Sequence, residues 1–416
     1  MPSNSEDVLI LGGGVIGLSC ALFLLEQGRS VRILEKNTVG GATSMGNCGT
    51  ITPSHALPLA APGMISKALK FMTQADAPFY IKPSTDLSLL DWLLRFSLRC
   101  NAKDQRTTAL AKAPLLNASR ALLQTLIEKY AMECQFRASG VLYVCKSAQH
   151  LESLSAELPL LTECGVRSEA LDSSQLAARE PALLPDMAGG VYFPDDANFR
   201  PDAYCQELAR VVRALGAVIE EGCEVHSIAV DGDRVRHVET SLGQRQGGQV
   251  LVALAAWSPA MVKDIGLNLP IQPGKGYSIT YTPPTLLPKT PLVLTERSVC
   301  VTAWQDGYRL GSTMEFSGFD DSLNAKRLDA LERGAREYLK APIGPDVVSR
   351  WFGWRPMTYD DLPILGISPK HRNLFLATGH GMLGMSMSAI TGQLMAAQMT
   401  GKTPAIDLTP YSAARF

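Results

Sequence analysis

Apolar residues change their spacing three times in the first thirty-five positions of the chain. Residues 8–11 (VLIL) form an uninterrupted run of strand formers. Residues 18–26 place apolar side chains at helical spacing, and residues 31–34 return to a strand run closed by Glu35. Gly12, Gly14 and Gly17 separate the first run from the helix, and Gly28 stops it, so the segment reads strand, tight turn, helix, strand. Further along, the spacing predicts helices over 87–99, 107–132 and 203–215, paired strands over 224–230 and 234–239, and a buried strand in QVLVALAAW. A short strand over 374–377 leads through Gly379, Gly381 and Gly384 into an apolar helix that runs to about Met399 and ends before Gly401. The stretches GVLYVCK, GGVYFPDD and 271–339 alternate without crossover helices, which favours a mixed or antiparallel sheet.

Composition narrows the class. A chain of 416 residues with 46% hydrophobic content has enough material for two cores. A formal net charge of −1 gives no basic field for nucleic acid. Nine cysteines, with no CxxC pair, read as reduced thiols, and six scattered histidines offer no metal-ligand spacing. The polar, acidic start MPSNSEDV has no basic region before its apolar run, so neither a signal peptide nor a spanning helix is expected. These features predict a cytoplasmic protein. One stretch, DLSLLDWLLRFSLRC, is apolar over a broad face with two arginines. It reads either as a core-packed helix or as a peripheral contact with the inner face of a membrane.

The glycines carry the first chemistry. In GxGxxG they allow a sharp turn, backbone approach to a pyrophosphate, and close helix–strand packing. The helix start beside Val15 and Ile16 offers free N–H groups and a positive dipole end. Glu35, about twenty residues on, is placed to accept from both ribose hydroxyls, which argues against a 2′-phosphate. This predicts an ADP-containing dinucleotide without separating NAD from FAD. The next residues are GGATSMGNCGTITPSH, a small-residue loop (40–55), and no second βαβ unit begins after it.

Taken with SMGNCG (44–49), PGKGYS (273–278), RLGSTME (309–315), GWRPMTYDDLPILG (353–366) and LATGHGMLGMSMS (376–388), the chain resembles the FAD-dependent D-amino-acid oxidase and glycine oxidase superfamily. Within it the chain is most similar to the bacterial D-amino-acid dehydrogenases. The resemblance implies a mixed α/β fold. A Rossmann-like FAD-binding domain of the glutathione-reductase type (1–85, 198–262 and 344–416) is interleaved with a substrate domain on a mixed or antiparallel sheet (86–197 and 263–343). It implies non-covalent FAD, because Phe352, Gly353 and Trp354 stand where relatives with covalent flavin carry a cysteine. Lys36, Thr43, Ser44, Asn47, Cys48, Gly49, Val225, Met382, Leu383 and Met385 join the glycines as cofactor contacts. Ala255, in ALAAWS, stands where the family usually has glycine.

The resemblance also implies the reaction: hydride from an amino-acid α-carbon to flavin N5, with electrons passed to a quinone-type or other carrier. It leans toward small apolar or cyclic substrates such as D-proline or hydroxy-D-proline. Arg355 would grip the substrate carboxylate with two parallel hydrogen bonds, unless it merely neutralises Asp360 or Asp361. Lys275 and Tyr277 are candidates for a second carboxylate contact, although Tyr277 also fits an alternating strand. His55 reads as a pocket lid or a structural histidine, and His380 as a ring-edge contact or a solvent-facing residue. Arg309 reads as a residue under the flavin or as the partner of a carboxylate such as Glu315. An oxygen-using amine oxidase and an electron-transfer subunit are the alternatives.

Overall fold

The computed structural model describes residues 5–72 and 79–416. Its first sheet grows from the opening pattern. Ser5–Leu11 pairs in parallel with Val31–Leu34 on one side and Gly243–Val252 on the other, and Val218–Glu220 extends the edge. Leu374–Thr378 pairs in parallel with Gly243–Val252, and Val225–Asp231 and Arg234–Thr240 add an antiparallel flap. The central runs VLIL and QVLV are continuous apolar stretches because parallel strands are covered on both faces. One face is covered by Val15–Glu26, on which Gly384–Met399 lies; a Cβ at Gly392 would stand 2.5 Å from Ser19 O. Twelve of the sixteen residues of Gly384–Met399 are buried, which explains why its apolar residues follow no single stripe.

A second sheet has the order Phe79–Ile81, Met314–Phe316, Ile271–Tyr281, Gly307–Ser312, Val299–Trp304, Leu292–Leu294, Val141–Cys145, Gly189–Phe193, Glu169–Asp172. It is mixed, as the alternation predicts. Val347–Thr358 pairs antiparallel with Ile271–Tyr281 along its length. This differs from the expected boundaries, which assigned residues from 344 onward, and those up to 85, to the nucleotide-binding unit. The strands Val347–Thr358 and Phe79–Ile81 hydrogen-bond into the second sheet instead, because their backbone partners are there. Leu87–Arg99 and Ala102–Lys129 are helices as expected. Leu89 and Trp92 turn into the protein, and Trp92 Nε1 donates to Met357 O at 3.0 Å.

Candidate active site

Gly12 turns with φ +105°, and a Cβ there would lie 2.6 Å from Ala253 O; one on Gly17 would lie 2.0 Å from Gly12 O. Only glycine lets the strand meet the helix this closely. Gly14 supplies no side-chain cap to Val15–Glu26. The N–H of Val15 is received across the loop by Ser44 Oγ at 3.2 Å. Glu35 lies alongside, accepting from Gly13 N and Asn37 N at 2.9 Å each. Backbone bonds from Glu35 N to Glu220 O and from Cys223 N to Glu35 O hold the 223–225 segment, with Val225, beside it.

Gly384–Met399 also starts without a side-chain cap. Gly379 and Gly381 take φ of +72° and +53°, and Gly381 N donates to Pro356 O at 3.1 Å. Both helix starts open on one cavity of about 700 Å³. Free N–H groups and positive dipole ends favour anionic groups at both places. Among the described residues no Asp or Glu lines the cavity.

Arg355 is a charged group in its wall. Its strand neighbour across the ladder is Gly274, and Gly276 pairs with Gly353 on the same face. A Cβ on Gly276 would stand 2.3 Å from the guanidinium carbon, so this glycine clears the space that the side chain fills. Arg355 Nη1 donates to Thr313 O at 2.6 Å and Nη2 to Ser312 O at 3.3 Å. Those carbonyls are aimed by a strained backbone, with φ of +123° at Ser312 and +28° at Thr313, at a cost of about 1–3 kcal/mol each. Burial lowers the guanidinium pKa to about 10, so it stays charged at neutral pH. The two aspartates that might have neutralised it are committed elsewhere. Asp360 accepts from Arg415 at 2.8 Å and Asp361 from Lys112 at 2.6 Å. Among the described residues no carboxylate lies within ion-pair distance of Arg355.

Several other expected residues share this cavity: Gly14, Val15, Ile16, Thr43, Ser44, Asn47, Cys48, His55, Tyr277, His380, Gly381, Met382, Leu383, Gly384 and Met385. Asn47 turns its side-chain oxygen to Gly49 N at 2.7 Å, which shapes the loop. His380 does not face solvent: it is buried, its Nε2 lies 3.0 Å from Thr391 Oγ1, and burial pushes its pKa down to about 3. Tyr277 lies in the wall but sets its hydroxyl 3.4 Å from Glu315. Cys48 and Cys300 share a hydrogen bond at the cavity; it lowers the Cys48 thiol pKa, helped by Arg309 and Arg355, and raises that of Cys300.

Three further expected residues stand outside the cavity's lining. Lys275 does not reach the cavity: it pairs across the ladder with Trp354, on the face opposite Arg355. Its ammonium is bonded to Ser322 O at 2.5 Å and lies 3.4 Å from Asp320. Arg309 is a loop clamp, donating to Met45 O at 2.9 Å, Asn47 O at 2.6 Å and Thr280 Oγ1 at 2.9 Å. Lys36 is exposed and paired with Glu224 at 2.7 Å. Trp351, Tyr143, Cys300, Ser312 and Thr313 line the cavity without having been anticipated. Gly46 was the available signal for Trp351, since a Cβ there would overlap the indole at 1.9 Å. Ala255 adopts φ +49°, the left-handed backbone a glycine would take freely, at a cost of about 1–2 kcal/mol.

The glycine cradle, the acid beside it and the second anion-seeking helix start fit FAD. A family model described as DAO, FAD dependent oxidoreductase, matches residues 7–398. The chain is 32% identical to a D-amino acid dehydrogenase of Vibrio cholerae serotype O1, over 97% of this chain and 99% of the relative. It is 33% identical to a D-amino acid dehydrogenase of Chromohalobacter salexigens, over 99% of each. The structure of glycine oxidase from Geobacillus kaustophilus superposes with a TM-score of 0.80 at 24% identity, covering 99% of each chain, and shares the fold.

Gly276→Ala should displace the guanidinium and lower kcat/KM for a carboxylate-bearing substrate about tenfold or more. Gly307→Ala, whose Cβ would meet nothing closer than 3.5 Å, should leave it unchanged. Steady-state kinetics of the two variants checks the pair.

Proposed function

The chain belongs to the DAO family of FAD-dependent oxidoreductases, and from that premise we propose that it oxidatively deaminates D-amino acids and passes the electrons to an acceptor other than oxygen. The observation that carries this reading is Arg355: a charged, half-buried guanidinium without a carboxylate partner among the described residues, in a cavity that no acidic residue lines. Such a group is complementary to a carboxylate that the protein itself does not supply. The relatives named D-amino acid dehydrogenase support the D-configuration and the use of a carrier.

Bound FAD supplies the two-electron acceptor for the α-hydrogen of the substrate. The protein's share is placement. Arg355 holds the carboxylate, and its own position is fixed by Ser312 O and Thr313 O rather than by the substrate. The helix starts at Gly14 and Gly384 favour negative charge on the cofactor. Met314, Trp351 and Tyr143 give the cavity apolar and aromatic surface. With no carboxylate among the described residues of the walls to pair with a basic side chain, the site favours small apolar or cyclic substrates such as D-proline or hydroxy-D-proline.

Anaerobic mixing of the yellow protein with paired D- and L-amino acids should bleach the flavin with the D-forms only; bleaching by L-forms alone would overturn the reading. Arg355→Leu should raise KM at least about thirtyfold, from about 2–5 kcal/mol for a truncated buried charge pair, and leave the flavin absorbance intact.

The acceptor we infer is a quinone-type carrier met at a membrane surface. On Leu87–Arg99 the residues Leu87, Leu90, Leu94 and Leu98 are exposed on the face opposite Trp92. Ile65 and Leu69, also exposed, stand at the rim of the cavity itself. Among the described residues no helix is long and apolar enough to cross a membrane, so the contact proposed is peripheral. The double variant Leu94→Glu, Leu98→Glu should lose flotation with lipid vesicles while keeping turnover with a water-soluble dye; unchanged flotation would contradict the contact.

A further inference from the structure

An amino acid arrives with its amine protonated, and its α-hydrogen can leave as hydride only after that proton has gone. Among the described residues the cavity has no carboxylate to take it. Arg355 is a cation, and His380 ends on Thr391 inside a buried helix, with no onward path. His55 is different. It stands on the short turn Pro53–Ala56, which Lys112 pins by donating to Leu57 O at 3.1 Å. Tyr143 Oη lies 3.1 Å from its Nδ1 and 3.2 Å from its Nε2. That hydroxyl lies 3.5 Å from Ser54 Oγ, and Ser54 Oγ donates to Asp196 Oδ2 at 2.5 Å.

The geometry points to a proton relay that runs from the substrate amine through His55, Tyr143 and Ser54 to Asp196. The inference rests on the amino-acid reading above. In the step, one ring nitrogen of His55 takes the N–H proton of the substrate ammonium while the other gives its proton to Tyr143 Oη. Tyr143 passes its hydroxyl proton to Ser54 Oγ, and Ser54 passes its own to the Asp196 carboxylate. The products are a neutral amine and a neutral Asp196; no electrons move, the tyrosine and serine end as they began, and His55 ends as its other neutral tautomer.

Charge explains why the proton does not stop on the histidine. Burial and the Lys112 ammonium push the His55 pKa down to about 4. Asp196 is wholly buried, and desolvation raises its pKa to about 7, opposed by the bonds from Ser54 Oγ and Ser54 N. Arg120, the nearby cation, donates to Asp195 O and Gln124, and Asp195 pairs with Arg167, so Asp196 has no ion-pair partner among the described residues. Cys300 and Glu157 are the other titratable groups whose charge bears on Tyr143. A group in this state accepts a proton near neutral pH and holds it without a buried charge.

Infrared difference spectra, oxidised against D-amino-acid-reduced, should show a protonated carboxyl band that shifts in D₂O and is absent in Asp196→Asn. The rate of flavin reduction should fall below about pH 7 in the wild type. Asp196→Asn and Ser54→Ala should both lose that limb and run at least tenfold slower at pH 8, with unchanged affinity for a small carboxylate. Reduction by a D-amino acid without the carboxyl band, or a wild-type pH limb in Asp196→Asn, overturns the relay and leaves the function standing. No reduction by any amino acid overturns both. The infrared experiment on the wild type decides even if a variant fails to fold.

Discussion

A charged guanidinium with no counter-ion among the described residues is the constraint around which the rest of the site is arranged. Taking Arg355 out of water is costly, and the protein does not offset this with an aspartate, although two follow within six residues. It uses two carbonyl dipoles, Ser312 O and Thr313 O, held in backbone conformations that side-chain-bearing residues rarely adopt. Dipoles steady the cation without neutralising it, so its attraction for an incoming carboxylate is kept. The strain at 312–313 and the ion pairs that remove Asp360 and Asp361 serve the same end.

The two sheets divide the work. The parallel sheet needs close approach of strand and helix, and its glycines provide this at Gly12 and Gly17. The mixed sheet needs bare backbone on two neighbouring strands: Gly276 makes room for Arg355, Gly274 for Met314 and Met357, and Gly353 for Trp351. Arg309 then ties the sheets together, since its donors reach from the second sheet to the loop carrying Asn47 and Cys48. A side chain expected at the chemistry is therefore the strut that holds the cofactor loop in place.

How much was legible follows from how local each feature is. The segment from Gly12 to Glu35 was readable because spacing, turn and acid lie within two dozen residues. Arg355 was identified by its neighbours in the sequence, but its freedom from Asp360 and Asp361 was not, because Arg415 and Lys112 come from distant segments. Lys275 and Arg355 looked alike as carboxylate contacts. Strand register separates them, since Lys275 faces Trp354 and Arg355 faces Gly274, and register is set by pairing between segments some eighty residues apart. His55, Tyr143 and Asp196 belong to three separate elements and meet only in the fold.

The most direct test of the account is a crystal structure of the flavin-bound protein with a non-reacting carboxylic acid analogue of a D-amino acid. The carboxylate is expected on the Arg355 guanidinium, with Ser312 O and Thr313 O still behind it and the amine side turned toward His55. A carboxylate bound elsewhere in the cavity, with Arg355 contacting only those two carbonyls, would contradict it.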